Sequence, residues 1–525
     1  MPRWLSSSGA AGAATLISRI LGFVRESAYA AFMGTGPVAD AFFLAFQIPN
    51  LFRRLLGEGA LSSAFIPIFK ETERKHGDAA AWRVGLAFTW MVIIATVAVC
   101  LVMLVFLSVM IFASNVDVYT ELMFRLMRWM LPYLPLVCVA AGFIGMLNSR
   151  NHFFMPALGA TMLNVAMLGS VWFLAPLFGK ELDHRVFGLA IGVVIAGFLQ
   201  AGFQVPSLYR EGFRFHWLDP RKEPAVKEIL HRVGPTVLGV AAFQFNTVLC
   251  QGFAYSHGRE IVSSFNYAVR LMELPQGVVG ISLATVLLPE LSALVADQKY
   301  PEFRSTLSEG LRQVFFLTLL PAVLLLTLAE PMVRLLFERG EFVASSTQRV
   351  SFMLACLTPG LMAFSLNNIL ARAFYALGDT RTPMRISLAA IAANLVAAFL
   401  SISLYPRAGL AVANSFSAIV NCVLLFYGLR RAQPKFALAP FLSPTLRMIA
   451  AGLAAAVIAY AARLGCTRWI GHASLPTKIV EVFIPILFAT VAYVGVALAF
   501  RIQEVEDVIE VFRRRRARKA AANGA

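Results

Sequence analysis

Fourteen apolar stretches, each about 20 residues or longer, run through this 525-residue chain and leave it few ways to fold. Hydrocarbon offers no water to a backbone amide, so a segment that crosses a bilayer must be a helix or a strand of a closed barrel. Barrel strands read as short segments of alternating polarity, whereas these runs are continuous, so their length selects helices. Composition agrees: 58% of residues are hydrophobic, 14% are charged and the mean hydropathy is +0.71, more apolar surface than one soluble core could hide. The expected fold is an all-α polytopic membrane protein.

The runs predict helices at roughly 9–33, 38–69, 84–113, 120–147, 155–177 and 186–207, then 225–255, 260–295, 303–329, 346–376, 384–404 and 408–429, and finally 441–464 and 477–500. The first carries Arg19 and Arg25 and lacks a small-residue cleavage site, so it reads as a membrane helix rather than a signal peptide. The connections after helices 2, 6, 10 and 12 are rich in Lys and Arg, whereas Ser114 to Thr120 has none and Ser256 to Glu260 has only Arg259. The positive-inside rule then places both termini in the cytoplasm, and the tail Arg513 to Arg516 with Arg518 and Lys519 suits the headgroups of that leaflet. The net charge of +17 thereby sets orientation, and nucleic acid is not implied.

Two landmarks recur at nearly one spacing. Ile48-Pro49-Asn50 corresponds to Leu274-Pro275-Gln276, with the prolines 226 residues apart, and Met155-Pro156 corresponds to Thr382-Pro383, with the prolines 227 apart. A parallel repeat follows: two six-helix lobes of the same topology plus two C-terminal helices, fourteen transmembrane helices in all. The expected domains are an N-terminal lobe (1–207), a cytoplasmic linker (208–224), a C-terminal lobe (225–432), helices 13 and 14 (433–500) and a basic cytoplasmic tail (501–525). Paired bundles suggest a transporter whose cavity opens alternately to each side.

Charge inside such helices costs about 2.5–3.5 kcal/mol per residue on insertion scales, so it marks a wet cavity or a partner. Helix 1 reads Ser18-Arg19-Ile20-Leu21-Gly22-Phe23-Val24-Arg25-Glu26, and its two arginines, about 120° apart around an α-helix, share a cavity only if the helix distorts near Gly22. Asp40 is the one aspartate embedded in a membrane segment and could neutralise an arginine. Pro49 is expected to interrupt its helix, with Arg53, Arg54 and Glu58 following. Arg270 and Glu273, one turn apart, could be a self-contained ion pair. Arg19, Arg25, Arg53, Arg54 and Arg270 outnumber Asp40, Glu26, Glu58 and Glu273. Arginine forks in a low-dielectric cavity bind phosphate bidentately, so a phosphate or pyrophosphate headgroup is the natural cargo.

Other chemistries find no support. Five of the six cysteines (Cys100, Cys138, Cys250, Cys356, Cys422) fall within apolar runs without CxxC spacing, and the histidines sit in or beside polar connections. No metal site, cofactor or disulfide is predicted. With no P-loop, Gly-x-Ser-x-Gly elbow or paired carboxylates at membrane depth, there is no catalytic residue to name and an enzyme is the weaker class.

The helix-1 motif, Ala39-Asp40-Ala41-Phe42-Phe43-Leu44-Ala45-Phe46, Ile48-Pro49-Asn50-Leu51-Phe52-Arg53-Arg54 and Glu58-Gly59-Ala60 together closely resemble the lipid II flippase family MurJ (MviN). Tyr267 to Pro275, Phe374-Tyr375-Ala376 and Asp379-Thr380-Arg381-Thr382-Pro383 are similar to its second half. The resemblance implies the multidrug/oligosaccharidyl-lipid/polysaccharide exporter fold in the bacterial inner membrane. It also implies a cargo of undecaprenyl-pyrophosphate-linked disaccharide-pentapeptide, moved to the periplasmic leaflet for peptidoglycan synthesis and cell shape. Its cavity residues are those matching Arg19, Arg25, Asp40, Arg53 and Arg270, with Ser18, Glu26, Arg54, Glu58 and Glu273 as further candidates, and helices 13 and 14 suit a prenyl-tail groove. The partners so implied are lipid II, membrane lipid and cell-wall synthesis proteins around a monomer. Helix 7 departs in having no acidic residue in its interior, only amides such as Gln244 and Asn246. The alternatives are a flippase for another polyprenyl-linked glycan or a cation-coupled drug exporter of the same fold.

Overall fold

The computed structural model of the chain describes residues 3–57, 60–113, 116–436, 439–471, 474–507 and 510. By internal contacts it divides into two compact units, Met1–Ser263 with Arg339–Phe342, and Ser264–Glu338 with Val343–Ala525. Ten stretches of helix are long and apolar enough to cross a membrane among the described residues, eleven if one bent pair counts as a span.

The first unit runs α1 (Arg3–Met33), α2 (Pro37–Gly57), α3 (Ala60–His76), α4 (Asp78–Ala113), α5 (Val118–Met130), α6 (Tyr133–Ser149), α7 (Phe154–Gly169), α8 (Leu182–Gly202), α9 (Val205–Arg210) and α10 (Pro224–His257). Where the sequence suggested one helix over 38–69, α2 ends at Gly57 and α3 carries on into the charged stretch that ends in Arg74, Lys75 and His76. The helix expected over 120–147 is two, α5 and α6, bent by 45° where Pro132 interrupts the hydrogen-bond ladder. A π-helical turn, Ser170–Leu174, and a 3-10 turn, Ala175–Phe178, extend α7. Exposure in this unit follows lipid rather than water: Val102, Val105 and Phe112 on α4 are 70%, 63% and 86% exposed on the most apolar helix of the chain.

The second unit is built from α11 (Ile261–Pro275), which starts at the junction, α12 (Ser282–Ala296), α13 (Tyr300–Thr327), α14 (Ala329–Phe337), α15 (Ala344–Ala376), α16 (Arg381–Leu404), α17 (Pro406–Ala432), α18 (Ala439–Trp469) and α19 (Leu475–Ala499). A π-helical segment, Gln276–Ile281, joins α11 to α12 directly after Pro275, so the span Ile261–Ala296 bends its hydrogen-bond ladder without breaking. At the start of α16, Asp379 accepts the N–H groups of Arg381 and Thr382 at 3.0 Å each. The Thr382 hydrogen bond holds its carboxyl below the usual carboxylate range, so this cap is present at neutral pH and lost as pH falls through that lowered pKa. The Asp-Thr-Arg-Thr-Pro motif is therefore a helix start.

Helix α19 is tied to α13 and α14 along its length. An alanine seam (Ala451, Ala455, Ala459 on α18; Ala489, Ala497 on α19) lets the last two helices approach closely, and Phe316 of α13 stacks on Tyr493 at 5.0 Å between ring centroids. The Tyr493 hydroxyl donates to the Phe316 carbonyl at 2.8 Å. Beyond one end, Arg312 pairs with the buried Glu504 at 2.7 Å. At the other, Arg334 Nη1 donates to both oxygens of Glu481 at 3.0 Å and Nη2 to Glu330 at 2.6 Å, while Arg463 also reaches Glu330 and Lys478 reaches Glu338 at 3.1 Å. Three cations and three carboxylates are thus balanced around a guanidinium and a carboxylate that are 9% and 1% exposed. Removing one partner strands the other: Arg334→Ala is expected to cost about 3–5 kcal/mol, and the double variant Arg334→Leu/Glu481→Leu to recover most of it. Thermal unfolding in detergent reads both.

Helix hairpins close through glycine in both units. A Cβ on Gly188 of α8 would lie 2.6 Å from the Ala175 main chain, and one on Gly409 of α17 would lie 2.5 Å from the main chain of Ile402. Main chain cannot rotate aside as a side chain can. Gly188→Ala and Gly409→Ala are therefore expected to destabilise by about 1–3 kcal/mol each in the same unfolding assay.

Candidate functional site

The candidate site of the first unit is organised by the desolvation of Arg25. Helix α1 is unbroken through Gly22, so the distortion that would let both of its arginines face one way does not occur: Arg25 is buried and Arg19 exposed. The Arg25 fork is held from two sides, Nη1 donating to Asn164 Oδ1 at 3.0 Å and Nη2 to Glu26 Oε1 at 2.5 Å, with the guanidinium 5.5 Å from the Tyr29 ring centroid. Asn164 Nδ2 in turn donates to the carbonyl of Ser18 at 3.1 Å, so one amide on α7 spans two turns of α1 across Gly22. Glu26 and Ser18 therefore belong to the Arg25 setting.

An aromatic row leads from Arg25 into the unit. Tyr29 meets Phe42 edge-on at 5.7 Å, Phe42 stacks on Phe46 at 6.3 Å, and Phe46 meets Tyr133 at 6.3 Å. The fully buried Tyr133 donates to Gln200 Oε1 at 3.2 Å. Pro49 does not interrupt α2, which continues through it to Gly57, and Asn50 beside it accepts from Arg53 Nε at 2.8 Å. Arg54 is half-buried, and Glu58 lies outside the described residues.

Asp40 has a different partner from the one its charge suggested. It sits in the first turn of α2, is 0% exposed, and its Oδ1 accepts the main-chain N–H of Ser263 at 2.7 Å, in the first turn of α11. Among the described residues it meets this amide rather than an arginine, because the unpaired N–H groups of a helix start attract a carboxylate. Its Oδ2 is buried with no hydrogen-bond partner among the described residues.

In the second unit Arg270 is half-buried and donates to Glu273 Oε2 at 2.9 Å, the local i,i+3 pair that its spacing allowed. Helix α10 buries Gln244, Asn246 and Gln251, amides where a cation site would want carboxylates. The described residues bring Glu181, Asp183 and His184 within ligand distance of one another only at the exposed start of α8. Asn164, Asn50, Tyr133 and Gln200 were not picked out as site residues from the sequence. A polar residue at helical spacing inside an apolar run was the signal available for Asn164 and Gln200.

The Ser263 amide defines a test of Asp40. Asp40→Asn keeps an acceptor there and is expected to unfold within about 1 kcal/mol of the parent, whereas Asp40→Ala leaves a buried N–H unsatisfied and is expected to cost about 1–3 kcal/mol in thermal unfolding.

Comparison with known proteins adds what geometry cannot. The family model described as lipid II flippase MurJ matches residues 29–487. A probable lipid II flippase MurJ of Rhizobium tropici is 36% identical over 429 residues, 80% of each chain. The lipid II flippase MurJ of Burkholderia cenocepacia is 33% identical, covering 79% of this chain and 82% of its own. Among solved structures, a lipid II flippase MurJ in an inward closed conformation superposes with a TM-score of 0.75 over 94% of this chain and 98% of its own at 23% identity. An inward-facing multidrug resistance transporter of the MATE family does so with 0.65 over 80% and 96% at 16% identity.

Proposed function

We propose, from the premise that this chain belongs to the lipid II flippase MurJ family, a mechanism by which it carries lipid II across the inner membrane. The observation that carries the reading is the family match over residues 29–487 around a buried, oriented guanidinium at Arg25. The chain is a multi-pass membrane protein and its work is transport, with no bond made or broken in the cargo.

In this mechanism fourteen spans form two six-helix lobes, related as a parallel repeat, followed by α18 and α19, with both termini in the cytoplasm. The glycine closures at Gly188 and Gly409, each against the end of the preceding helix, support the repeat. Arg19, Arg25, Arg53 and Arg270 take the pyrophosphate of the cargo in an inward-open cavity, with Ser18, Glu26, Arg54, Glu58 and Glu273 around them. A pyrophosphate linked at both ends carries two negative charges spread over oxygens that match guanidinium forks, so it competes with Glu26 and Glu273 for forks that the resting protein keeps locally paired. Asp40, bound to the Ser263 amide, helps to hold or release one closed state, because a carboxylate at a helix start is a contact that can be made or broken as a unit. The prenyl tail stays in lipid along α18 and α19. Closure on the cytoplasmic side then exposes the headgroup to the periplasm.

The likeness to a multidrug transporter, at 16% identity, speaks to fold alone, and export of a drug by that fold is the rival reading that the tests separate. Arg53→Ala is expected to abolish growth as the sole copy without lowering protein level; normal growth would remove Arg53 from the mechanism. Depletion of the protein is expected to leave lipid II inaccessible to a headgroup-cleaving enzyme confined to the periplasm. Unchanged accessibility, with altered drug tolerance, would favour the exporter.

A further inference from the structure

The connection between α9 and α10 reads in sequence as a polar linker, yet it is folded against a membrane helix through its aromatic residues. Phe213 is buried against Trp82 and Phe143, each at 5.9 Å between ring centroids. The chain then runs along the first turns of α4: Phe215 and Trp217 pack on Trp90 at 5.0 and 4.7 Å, and the Trp90 indole N–H donates to the carbonyl of His216 at 2.7 Å. Arg214 pins the approach by donating to the carbonyls of Tyr209 and Phe213 at 2.7 and 2.9 Å.

The depth of this contact is set by α4. Its last charged residue is Arg83, and the apolar run begins at Val84. Trp90 lies seven residues further, about 10 Å along the axis. That exceeds the thickness of one polar headgroup zone, about 5–8 Å, so Trp90 and the linker residues against it sit at the hydrocarbon boundary. Phe215 and Trp217 nevertheless remain 46% and 65% exposed. An exposed indole at that level faces lipid, the place an amphipathic ring prefers.

The charges of the linker complement such a surface. Arg210, Arg221 and Lys222 are exposed, whereas its acidic groups are engaged: Glu211 with His152 at 2.8 Å, and Asp219 with the N–H of Arg221 at 3.1 Å. We propose that residues 210–222 form a membrane-surface anchor, in which Phe215 and Trp217 seat at the hydrocarbon boundary and Arg210, Arg221 and Lys222 bind the phosphates of anionic lipids. The anchor is independent of the cargo site and holds the connection between α9 and α10 on the bilayer during transport.

The test uses the full chain in nanodiscs of phosphatidylcholine with phosphatidylglycerol. The tryptophan emission of the parent minus that of Trp217→Phe isolates Trp217, and phenylalanine keeps the ring contact with Trp90. Quenching of this difference signal by lipids brominated on the acyl chain, with protection from aqueous acrylamide, is the expected result. Quenching by acrylamide and none by brominated lipid would overturn the proposal and leave the ring as a water-facing surface open to a protein partner. A second measurement addresses the charges: phosphatidylglycerol is expected to raise the unfolding midpoint of the parent over that in phosphatidylcholine alone, with the rise lost in Arg210→Gln/Arg221→Gln/Lys222→Gln and in high salt. An equal rise in parent and triple variant would remove these three cations from lipid binding.

Discussion

Hydrocarbon cannot hydrogen-bond, and every other feature of this protein follows from that constraint. It forces the apolar runs into helices, and it lets Val102, Val105 and Phe112 lie exposed where a soluble protein would hide them. It also makes each charge inside the helices a structural problem. Arg25 is met by Glu26 and Asn164, Asp40 by the Ser263 amide, Arg270 by Glu273, and Arg334 by Glu481 and Glu330. Different charges use different solutions.

Around Arg334 the charges balance and the contacts join α14, α18 and α19, the arrangement of a clamp. Around Arg25 the contacts join neighbouring elements differently: the fork is shared between the amide of Asn164 on α7 and the carboxylate of Glu26, while Arg53 donates to Asn50 one turn back on α2.

Much of the fold was legible because its signal is one-dimensional. Helices lie over all the predicted apolar runs, since length and hydropathy decide membrane helices almost alone. The discrepancies fall at proline and glycine. Pro132 splits a predicted helix into α5 and α6, Pro49 leaves α2 whole, and Pro275 opens into a π-helical segment. Whether a proline breaks, bends or merely loosens a helix depends on what its neighbours offer the freed carbonyl, and that is a property of packing. The short α14 was hidden in the same way, because an apolar run does not show where it turns.

The candidate site divides along the same line. Sequence alone determined that these residues cross a membrane as helices, that arginines sit among them in excess over carboxylates, and, through its motifs, which family they belong to. Both period and composition survive in a linear string. Tertiary structure decided which arginine is buried, that Asn164 rather than a distorted helix orients Arg25, that Asp40 binds an amide rather than a guanidinium, and that a polar linker lies on α4 through Phe215 and Trp217. Each of these depends on side chains far apart in the chain, up to the 223 residues between Asp40 and Ser263. The cost of an unpaired buried charge guarantees that a partner is found, while only the packing of helices fixes which one it is.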